Sequence, residues 1–313
     1  MSTASIFPFP VLSRLSKWCK VIKATTPLYA VIGDPIAHSL SPLMQNWFIQ
    51  HFGLDAVYVA FRVCPTELKN AVQGMRALGI QGMNVTVPHK EAVTAWTDEY
   101  SSEVTLLGAA NTLKNVDGKI SAFVTDPYGF IESLSENSAR FNQADVLLFG
   151  AGGAARSVCY ALSRLSVNRI ILHDIDDQKT ESLLRLCRTN LGLTKTVALK
   201  SIADDMNDII AATPIVINAT AIGMHPQENQ SVIENVRTIN KGHFFYDLIY
   251  NPAKTRFLRM AEKAGAVVQS GLDMLIFQGL QSMRIWTGEE LKLNHASMQE
   301  LRTLLTHFLG NHE

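Results

Sequence analysis

The sequence predicts an α/β protein built from two open α/β domains. Two stretches of the chain each alternate apolar strand patterns with amphipathic helix patterns, and a glycine-rich loop follows the first strand of the second stretch. Alternation of strands and helices is typical of parallel βαβ units. With 313 residues, of which 47% are hydrophobic, the chain is long enough for two compact domains with their own cores.

Charge and cysteine content exclude several classes of protein. Lys plus Arg number 28, as do Asp plus Glu, so no net charge favours nucleic acid or an anionic membrane as a partner. No apolar run reaches the roughly 18 to 20 residues that span a bilayer. The four cysteines have neither zinc-site spacing nor the density of a disulfide scaffold, and no other cluster suggests a metal. We therefore expect a cytoplasmic protein that binds a small molecule.

The first 27 residues differ from the rest of the chain, because they contain four basic residues and no acid. Such a segment can form a basic amphipathic helix or act in organelle targeting. We favour the simpler interpretation that residues 1–27 are a plain N-terminal extension.

The first alternating block runs from Leu28 to Asp126. Its strand patterns are LYAVIG, AVYVAF and GMNVTV, which we expect to form a parallel-rich sheet. Helices are predicted to start at Pro42, with Ser41 as N-cap, and at Thr66.

The second block has the strand patterns ADVLLFG, RIILHD, PIVINAT and HFFYDLIY, which predict a separate sheet over 127–271. Helical patterns follow over 274–286 and 297–309. In the second of these helices Ser297 and Glu300 are spaced as a capping box.

The glycine-rich segment GAGGAAR follows an apolar strand, opens a helix and fits the pattern G-x-G-x-x-A. Glycines in this context let a pyrophosphate approach the backbone N–H groups at a helix N-terminus. The second block is therefore predicted to be a Rossmann-like dinucleotide-binding domain, although a glycine-rich loop without a ligand is the simpler alternative. The cofactor-binding candidates are Gly150, Ala151, Gly152, Gly153 and Ala154.

Asp174 ends the next strand at the spacing where an acid accepts hydrogen bonds from the adenosine ribose. A carboxylate there repels a 2′-phosphate, so the sequence favours NAD. NADP remains allowed, because Arg156 or Lys179 could compensate. Asp174 could also serve only to cap a loop.

A nicotinamide enzyme needs a group that takes a proton as hydride leaves an alcohol, and polar groups that hold the substrate. Open α/β sheets bind ligands at the carboxyl ends of their strands. In the first block these ends read GDPIAHSLSP, NVTVPHKE, GAANT and VTDPYG. Spacing alone does not establish that the four segments converge.

Together these segments resemble the shikimate dehydrogenase family, which includes the quinate/shikimate dehydrogenases, from about Leu28 to Gly288. GLDMLIFQG resembles the glutamine helix of the family, and INATAIGM and YDLIYNP add to the likeness. The resemblance implies an NAD(P)-dependent oxidoreductase that interconverts shikimate and 3-dehydroshikimate. Quinate is the nearest alternative substrate, and a non-catalytic ligand-sensing relative is the alternative from a different class. The oligomeric state is not specified, and a homodimer is allowed.

The resemblance also implies roles for single residues. Lys90 and Asp126 would form the catalytic acid/base pair, and which of them is the formal base stays open, because a free lysine with a pKa of about 10.4 is a poor base near neutrality. The residues implied to bind substrate are Ser39, Ser41, Thr86, Asn111, Tyr250 and Gln278. Those implied to lie near the nicotinamide are Thr220 and Gly271. Because Gln278 must face the substrate, residues 272–313 are expected to return to the first domain, which then comprises 28–126 and 272–313.

The chain departs from the family pattern at three places, of which Ala110, in place of a common valine, is a packing change without functional weight. Val124 stands where an asparagine is usual before the catalytic aspartate, which predicts an altered substrate preference or rate. His173-Asp174-Ile175-Asp176 replaces the Asn-Arg-Thr run of NADP-type members and supports NAD. Taken singly, Ser41 could be a helix cap and Lys90 a solvated surface charge.

Overall fold

The structure is a computed structural model that describes residues 22–199 and 206–310. Most of the extension predicted over 1–27 lies outside the described residues. The chain forms two six-stranded sheets with helices packed on them, as the sequence predicted. No helix within the described ranges combines the length and apolarity that a bilayer crossing requires.

The first sheet has the strand order β2-β1-β3-β5-β6-β4. Strand β1 pairs in parallel with β2 and β3, which agrees with the predicted βαβ units. Strand β5 is antiparallel to both β3 and β6, so the sheet is mixed. Asp117 and Gly118 form the β5–β6 turn with φ of 52° and 85°, the positive values that a tight hairpin turn requires. The strands are β1 (Leu28–Gly33), β2 (Val57–Arg62), β3 (Gly82–Val85), β4 (Glu99–Tyr100), β5 (Thr112–Val116) and β6 (Lys119–Phe123).

The helices of this half are α1 (Ser41–His51), α2 (Leu68–Ala77) and α3 (Ser102–Leu107). The prediction that Ser41 caps α1 is wrong, because Leu40 occupies the N-cap position and Ser41 is already helical. The Ser41 N–H instead donates to Ser39 Oγ at 3.2 Å. Pro42 still lies in the first turn, where its missing N–H is harmless.

The second sheet is parallel throughout and has the order β12-β11-β10-β7-β8-β9. This order reverses direction between β7 and β10, which is the ligand-binding switch point of a doubly wound sheet. Its strands are β7 (Asp145–Phe149), β8 (Arg169–His173), β9 (Thr196–Ala198), β10 (Ile215–Asn218), β11 (Phe244–Asp247) and β12 (Val267–Ser270). Its helices are α4 (Asp126–Leu134), α5 (Gly153–Ser163), α6 (Asp177–Thr189), α7 (Met206–Ala212) and α8 (Arg256–Lys263).

The last two helices, α9 (Leu272–Thr287) and α10 (His295–Gly310), return to the first sheet. Ile276 and Leu280 of α9 share a buried cluster with Tyr29 of β1 and Met44 of α1. The α10 N-terminus differs from the prediction, because Asn294, rather than Glu300, is the capping partner of Ser297. The Asn294 side chain accepts from the Ser297 N–H at 2.9 Å, and Ser297 Oγ accepts from the Asn294 N–H at 3.0 Å.

Candidate active site

The predicted catalytic segments meet at one edge of the first sheet. Lys90 follows β3, and Asp126 follows β6 and begins α4. Asn111 precedes β5, which starts at this edge because it runs antiparallel to β3. The Ala110 N–H donates to the Lys90 carbonyl at 2.8 Å and joins two of the segments directly.

Lys90 and Asp126 form an ion pair, in which Lys90 Nζ donates to Asp126 Oδ2. The Lys90 side chain is 22% exposed and the Asp126 side chain 9% exposed, so the pair is largely shielded from solvent but still reaches the surface of the cleft. Asp126 occupies the first turn of α4, where the helix dipole favours a carboxylate. The arrangement provides a hydrogen-bonded proton donor and acceptor at a single position.

Asn111 holds Asp126 from the other side. Asn111 Nδ2 donates to Asp126 Oδ1 at 2.8 Å, while Asn111 Oδ1 accepts from the Thr125 N–H at 2.7 Å. Because a backbone N–H can only donate, this second bond fixes which end of the amide faces Asp126. Gln278 Oε1 lies 3.4 Å from Asn111 Nδ2. Two of the predicted substrate-binding residues are thus joined to the predicted catalytic pair.

A fully buried polar layer lies behind Asn111, and the sequence reasoning missed it. Its members are Tyr58, Asn84, Thr112, Thr125 and Ser282, all of which are below a tenth exposed. Two signals could have identified it: Asn84 is a polar residue within an apolar strand, and Ser282 lies one helical turn after Gln278.

The other residues predicted to bind substrate do not hydrogen-bond to the Lys90–Asp126 pair within the described part of the chain. Ser39, in the loop between β1 and α1, and Ser41, the first residue of α1, are half-buried. Thr86 follows β3 and lies so close to Gly33 that a Cβ added there would be 2.5 Å from Thr86 Cγ2. Tyr250 follows β11 of the second sheet but packs against the cluster of the first, and burial raises its pKa.

The loops of the two halves touch each other near this edge. The rings of His38, in the segment GDPIAHSLSP, and His225, which follows INATAIGM, have centroids 5.7 Å apart. Glu228 holds His225 through Nδ1 at 2.7 Å. The predicted substrate loop and the predicted cofactor half therefore face a common cleft.

The glycine-rich loop has the geometry that a dinucleotide requires. Gly150 has φ of 106°, and a Cβ there would lie 2.9 Å from the Ala219 carbonyl oxygen. A Cβ on Gly152 or Gly153 would meet no atom within 4 Å, so these two positions border open space. Helix α5 begins at Gly153, and its first N–H groups can bind an anion there. A pyrophosphate could lie in this open space against the first N–H groups of α5.

Asp174 lies against the glycine-rich loop. Its Oδ2 accepts from the Ala151 N–H at 2.7 Å, and its Oδ1 accepts from the Asp176 N–H at 2.9 Å. The loop-capping alternative is therefore part of its role. Each carboxylate oxygen keeps lone pairs for a further donor.

The two residues predicted near the nicotinamide also have structural roles. Thr220 Oγ1 donates to Asn218 Oδ1 at 2.7 Å. A Cβ on Gly271 would lie 2.0 Å from the Leu248 carbonyl oxygen, so only glycine fits where α9 leaves the second sheet. Asn218 in turn donates to the buried carboxyl of Asp247 at 3.1 Å, and burial raises the pKa of Asp247 to about 7.

Comparison with known proteins gives a consistent result. Residues 31–113 match the family model described as the shikimate dehydrogenase substrate binding domain. A shikimate dehydrogenase (NADP(+)) of Caldanaerobacter subterraneus subsp. tengcongensis is 38% identical over 268 residues, which cover 86% of this chain and 94% of that protein.

Two solved structures extend the likeness to the whole fold. Shikimate 5-dehydrogenase from Listeria monocytogenes, in complex with shikimate and NAD, has a TM-score of 0.81 at 32% identity and covers 92% of this chain and 99% of its own. Quinate dehydrogenase from Corynebacterium glutamicum, in complex with NAD, has a TM-score of 0.79 at 28% identity, over 89% of this chain and 99% of its own. With its ordered motifs, its strand order and this coverage, the chain belongs to the shikimate dehydrogenase family.

Proposed function

We propose that the protein catalyses reversible hydride transfer between shikimate and 3-dehydroshikimate, with NAD preferred over NADP. The observation that carries this proposal is the Lys90–Asp126 ion pair held by Asn111 at the carboxyl end of the first sheet. Residues 28–126 and 272–313 would form the substrate-binding domain, and 127–271 the cofactor domain. The cytoplasmic location stays a prediction from the sequence.

In the proposed reaction the secondary alcohol loses a hydride from carbon and a proton from oxygen, which leaves a ketone. A bound nicotinamide dinucleotide supplies the hydride acceptor. Lys90 and Asp126 together accept the proton of the hydroxyl. Because the two side chains are hydrogen-bonded, they can share this proton, and neither is left as an unpaired charge in the cleft. Asn111 keeps the Asp126 carboxylate oriented while this happens.

The proposed ligands of shikimate are the residues predicted from the sequence to bind substrate. Ser39 and Ser41 would hold the carboxylate, and Thr86, Asn111, Gln278 and Tyr250 the ring hydroxyls. Binding between the two sheets would exclude water and hold the hydride donor close to its acceptor. The His38–His225 contact lies where the two halves would close around the substrate.

The preference for NAD rests on Asp174. Its carboxylate is held against Ala151 of the glycine-rich loop, close to where the adenosine ribose is expected. A 2′-phosphate placed there would meet a like charge, whereas a 2′-hydroxyl would donate to it. Relatives named as NADP(+)-dependent are similar to this chain, so the preference is a proposal about this sequence in particular.

Quinate is the second candidate substrate, and Val124 is the observation that favours testing it. The family asparagine at this position would place an amide next to Asp126, whereas Val124 packs its apolar side chain between two cores. The quinate dehydrogenase that resembles this chain binds NAD, the cofactor proposed here.

The test is the initial rate of nicotinamide reduction by the purified protein, with shikimate or quinate, each combined with NAD or NADP. The fastest rate with shikimate and NAD would support the whole proposal. A faster rate with quinate would make quinate the main substrate in place of shikimate. A faster rate with NADP would overturn the role given to Asp174. No turnover in any of the four reactions would leave the ligand-sensing alternative.

A further inference from the structure

The hydroxyl of Ser282 occupies the centre of the buried polar layer behind the proposed catalytic pair. It donates to the Gln278 carbonyl oxygen at 3.0 Å and accepts from Asn84 Nδ2 at 2.9 Å. Its oxygen also lies 2.9 Å from Thr112 Oγ1 and 3.4 Å from Thr125 Oγ1. Ser282 is 0% exposed, so water cannot replace any of these partners.

These contacts connect four different elements. Ser282 belongs to α9, Asn84 to β3, Thr112 to β5, and Thr125 to the turn that leads into α4. Since α9 is the last of these in the chain, its hydroxyl joins segments that are otherwise up to 198 residues apart. The layer can therefore form only after α9 has docked on the first sheet.

Asn84 fixes the direction of the hydrogen bonds in the layer. The Tyr58 hydroxyl donates to Asn84 Oδ1 at 2.8 Å, and burial raises the pKa of Tyr58 well above its usual value, so the hydroxyl keeps its proton. Asn84 Nδ2 donates to the Asn111 carbonyl oxygen at 3.2 Å, and because that oxygen can only accept, the amide also presents its Nδ2 to Ser282. The Ser282 oxygen accepts that bond, and its proton is directed at the Gln278 carbonyl.

The near end of the layer reaches the proposed catalytic pair. Thr125 Oγ1 accepts from Asn111 Nδ2 at 2.9 Å, and the same amide donates to Asp126 Oδ1. Thr125 Oγ1 also lies 3.4 Å from Gln278 Oε1. A displacement of Thr125 or Gln278 would therefore move both the Asn111 amide and the carboxylate that it holds.

We propose that Ser282 is a positioning residue, which, with Asn84 and Tyr58 behind it, sets the orientation of Asn111 and thereby of the Lys90–Asp126 pair. The inference rests on the proposed function of that pair. Ser282 touches neither of the two charged side chains, so its effect is transmitted to Asn111 through Thr112, which donates to Asn111 Oδ1 at 3.3 Å, and through Thr125. A misplaced proton acceptor lowers the rate of the chemical step more than it lowers substrate affinity.

The test compares Ser282→Ala with Ser133→Ala. Ser133 is also a buried helical serine, whose hydroxyl donates to the Phe130 carbonyl at 2.7 Å and lies 2.8 Å from the Tyr246 hydroxyl. We expect Ser282→Ala to lower kcat by about tenfold with KM changed by less than about twofold, because the hydrogen bonds to Gln278 and from Asn84 are both lost. Ser133→Ala should lower thermal stability alone. Equal kcat for Ser282→Ala and the parent protein, or equal losses in both variants, would overturn the proposal.

A double-mutant cycle tests the path through the layer. Tyr58→Phe should lower kcat by about two- to fivefold, because Asn84 Oδ1 then loses its donor and the amide is held less firmly. When Ser282→Ala is already present, Tyr58→Phe should add almost nothing, since Tyr58 acts through the same hydroxyl. Additive losses in the double variant would show that Tyr58 acts by another route and would contradict the proposed path.

A measurement without turnover separates this inference from the proposed function. The side-chain amide protons of Asn111 can be assigned in a ¹H–¹⁵N spectrum by their loss in Asn111→Asp. They should shift in Ser282→Ala and remain in place in Ser133→Ala. If the parent protein turned over none of the four substrate and cofactor combinations, the proposed function would fail, yet these signals would still decide whether Ser282 positions Asn111.

Discussion

Gly129 of α4 and Gln278 of α9 lie so close that a Cβ on Gly129 would be 2.8 Å from Gln278 Cβ. The same Cβ would be 2.6 Å from the Met274 carbonyl oxygen. The helix that begins with Asp126 and the helix that carries Gln278 therefore cross in direct backbone contact. This crossing fixes the distance between a proposed catalytic residue and a proposed substrate ligand.

Gly129→Ala should push α9 away from α4 and displace Gln278. We expect KM for the acid substrate to rise several-fold and the free energy of unfolding to fall by about 1–3 kcal/mol through overpacking. Steady-state kinetics and urea unfolding measure the two effects.

Gly74→Ala is the matched control, because a Cβ on this helical glycine meets nothing within 4 Å. It should stabilise the protein by about 0.5–1 kcal/mol and leave KM unchanged. An unchanged KM in Gly129→Ala would contradict the role given to the crossing.

Lys90→Ala removes the amino group of the proposed catalytic pair. We expect kcat to fall by about 10²–10⁴-fold, while binding of shikimate measured by calorimetry changes only a few-fold, because the carboxylate and hydroxyl ligands remain. Lys263→Ala, at an exposed lysine on α8, should behave like the parent protein. If Lys90→Ala kept the turnover of the parent protein, Lys90 would not be a catalytic residue.

Asp174→Asn is a sharper test of cofactor choice than Asp174→Ala. The amide keeps one oxygen that can accept from the Ala151 N–H, so the contact with the glycine-rich loop is preserved while the negative charge and the bond from the Asp176 N–H are lost. We expect the ratio of kcat/KM for NADP to that for NAD to rise by about tenfold or more, which corresponds to about 1.4 kcal/mol. Asp177→Asn changes an exposed acid nearby and should leave the ratio unchanged. An unaltered ratio in Asp174→Asn would remove the argument for NAD.

Asp247 predicts an unusual dependence of stability on pH. Burial raises the pKa of this carboxyl to about 7, although Thr255, Ile249 and Asn218 donate to it. Between about pH 4 and 7 the unfolded chain is ionised here while the folded protein keeps the proton, so the contribution of Asp247 to stability falls as pH rises and is constant above about pH 7.

Asp247→Asn removes this titration. Relative to the variant, the parent protein should lose stability between pH 4 and 7, by an amount of the order of 3–4 kcal/mol at most. Urea unfolding at a series of pH values measures the difference. Parallel stability curves for the two proteins would show that the Asp247 carboxyl titrates in the same range in both states.

Much of the fold was accessible from the sequence, because the period of apolar residues and the turn residues are local. Seven of the twelve strands in the described residues, including LYAVIG and ADVLLFG, were located by their pattern alone. The sequence analysis did not predict the β5–β6 hairpin, although Asp117-Gly118 is a hairpin signal. The predicted N-cap of α1 was wrong by one residue, since Leu40 and not Ser41 occupies that position. The Ser41 N–H donates to the hydroxyl of Ser39.

The sequence by itself determined the kind of chemistry: a lysine, an aspartate and a glycine-rich loop stand in segments whose residue types and order suit hydride transfer. It could not determine their arrangement. Lys90 and Asp126 lie 36 residues apart, and Asn111 is connected to Ser282 through Thr112 and Thr125 after α9 has folded back onto the first sheet. The direction of an amide, the proton that a hydroxyl donates and the space beside a glycine are set by neighbours from distant parts of the chain. Such properties carry no periodic signal, so only the tertiary structure decided them.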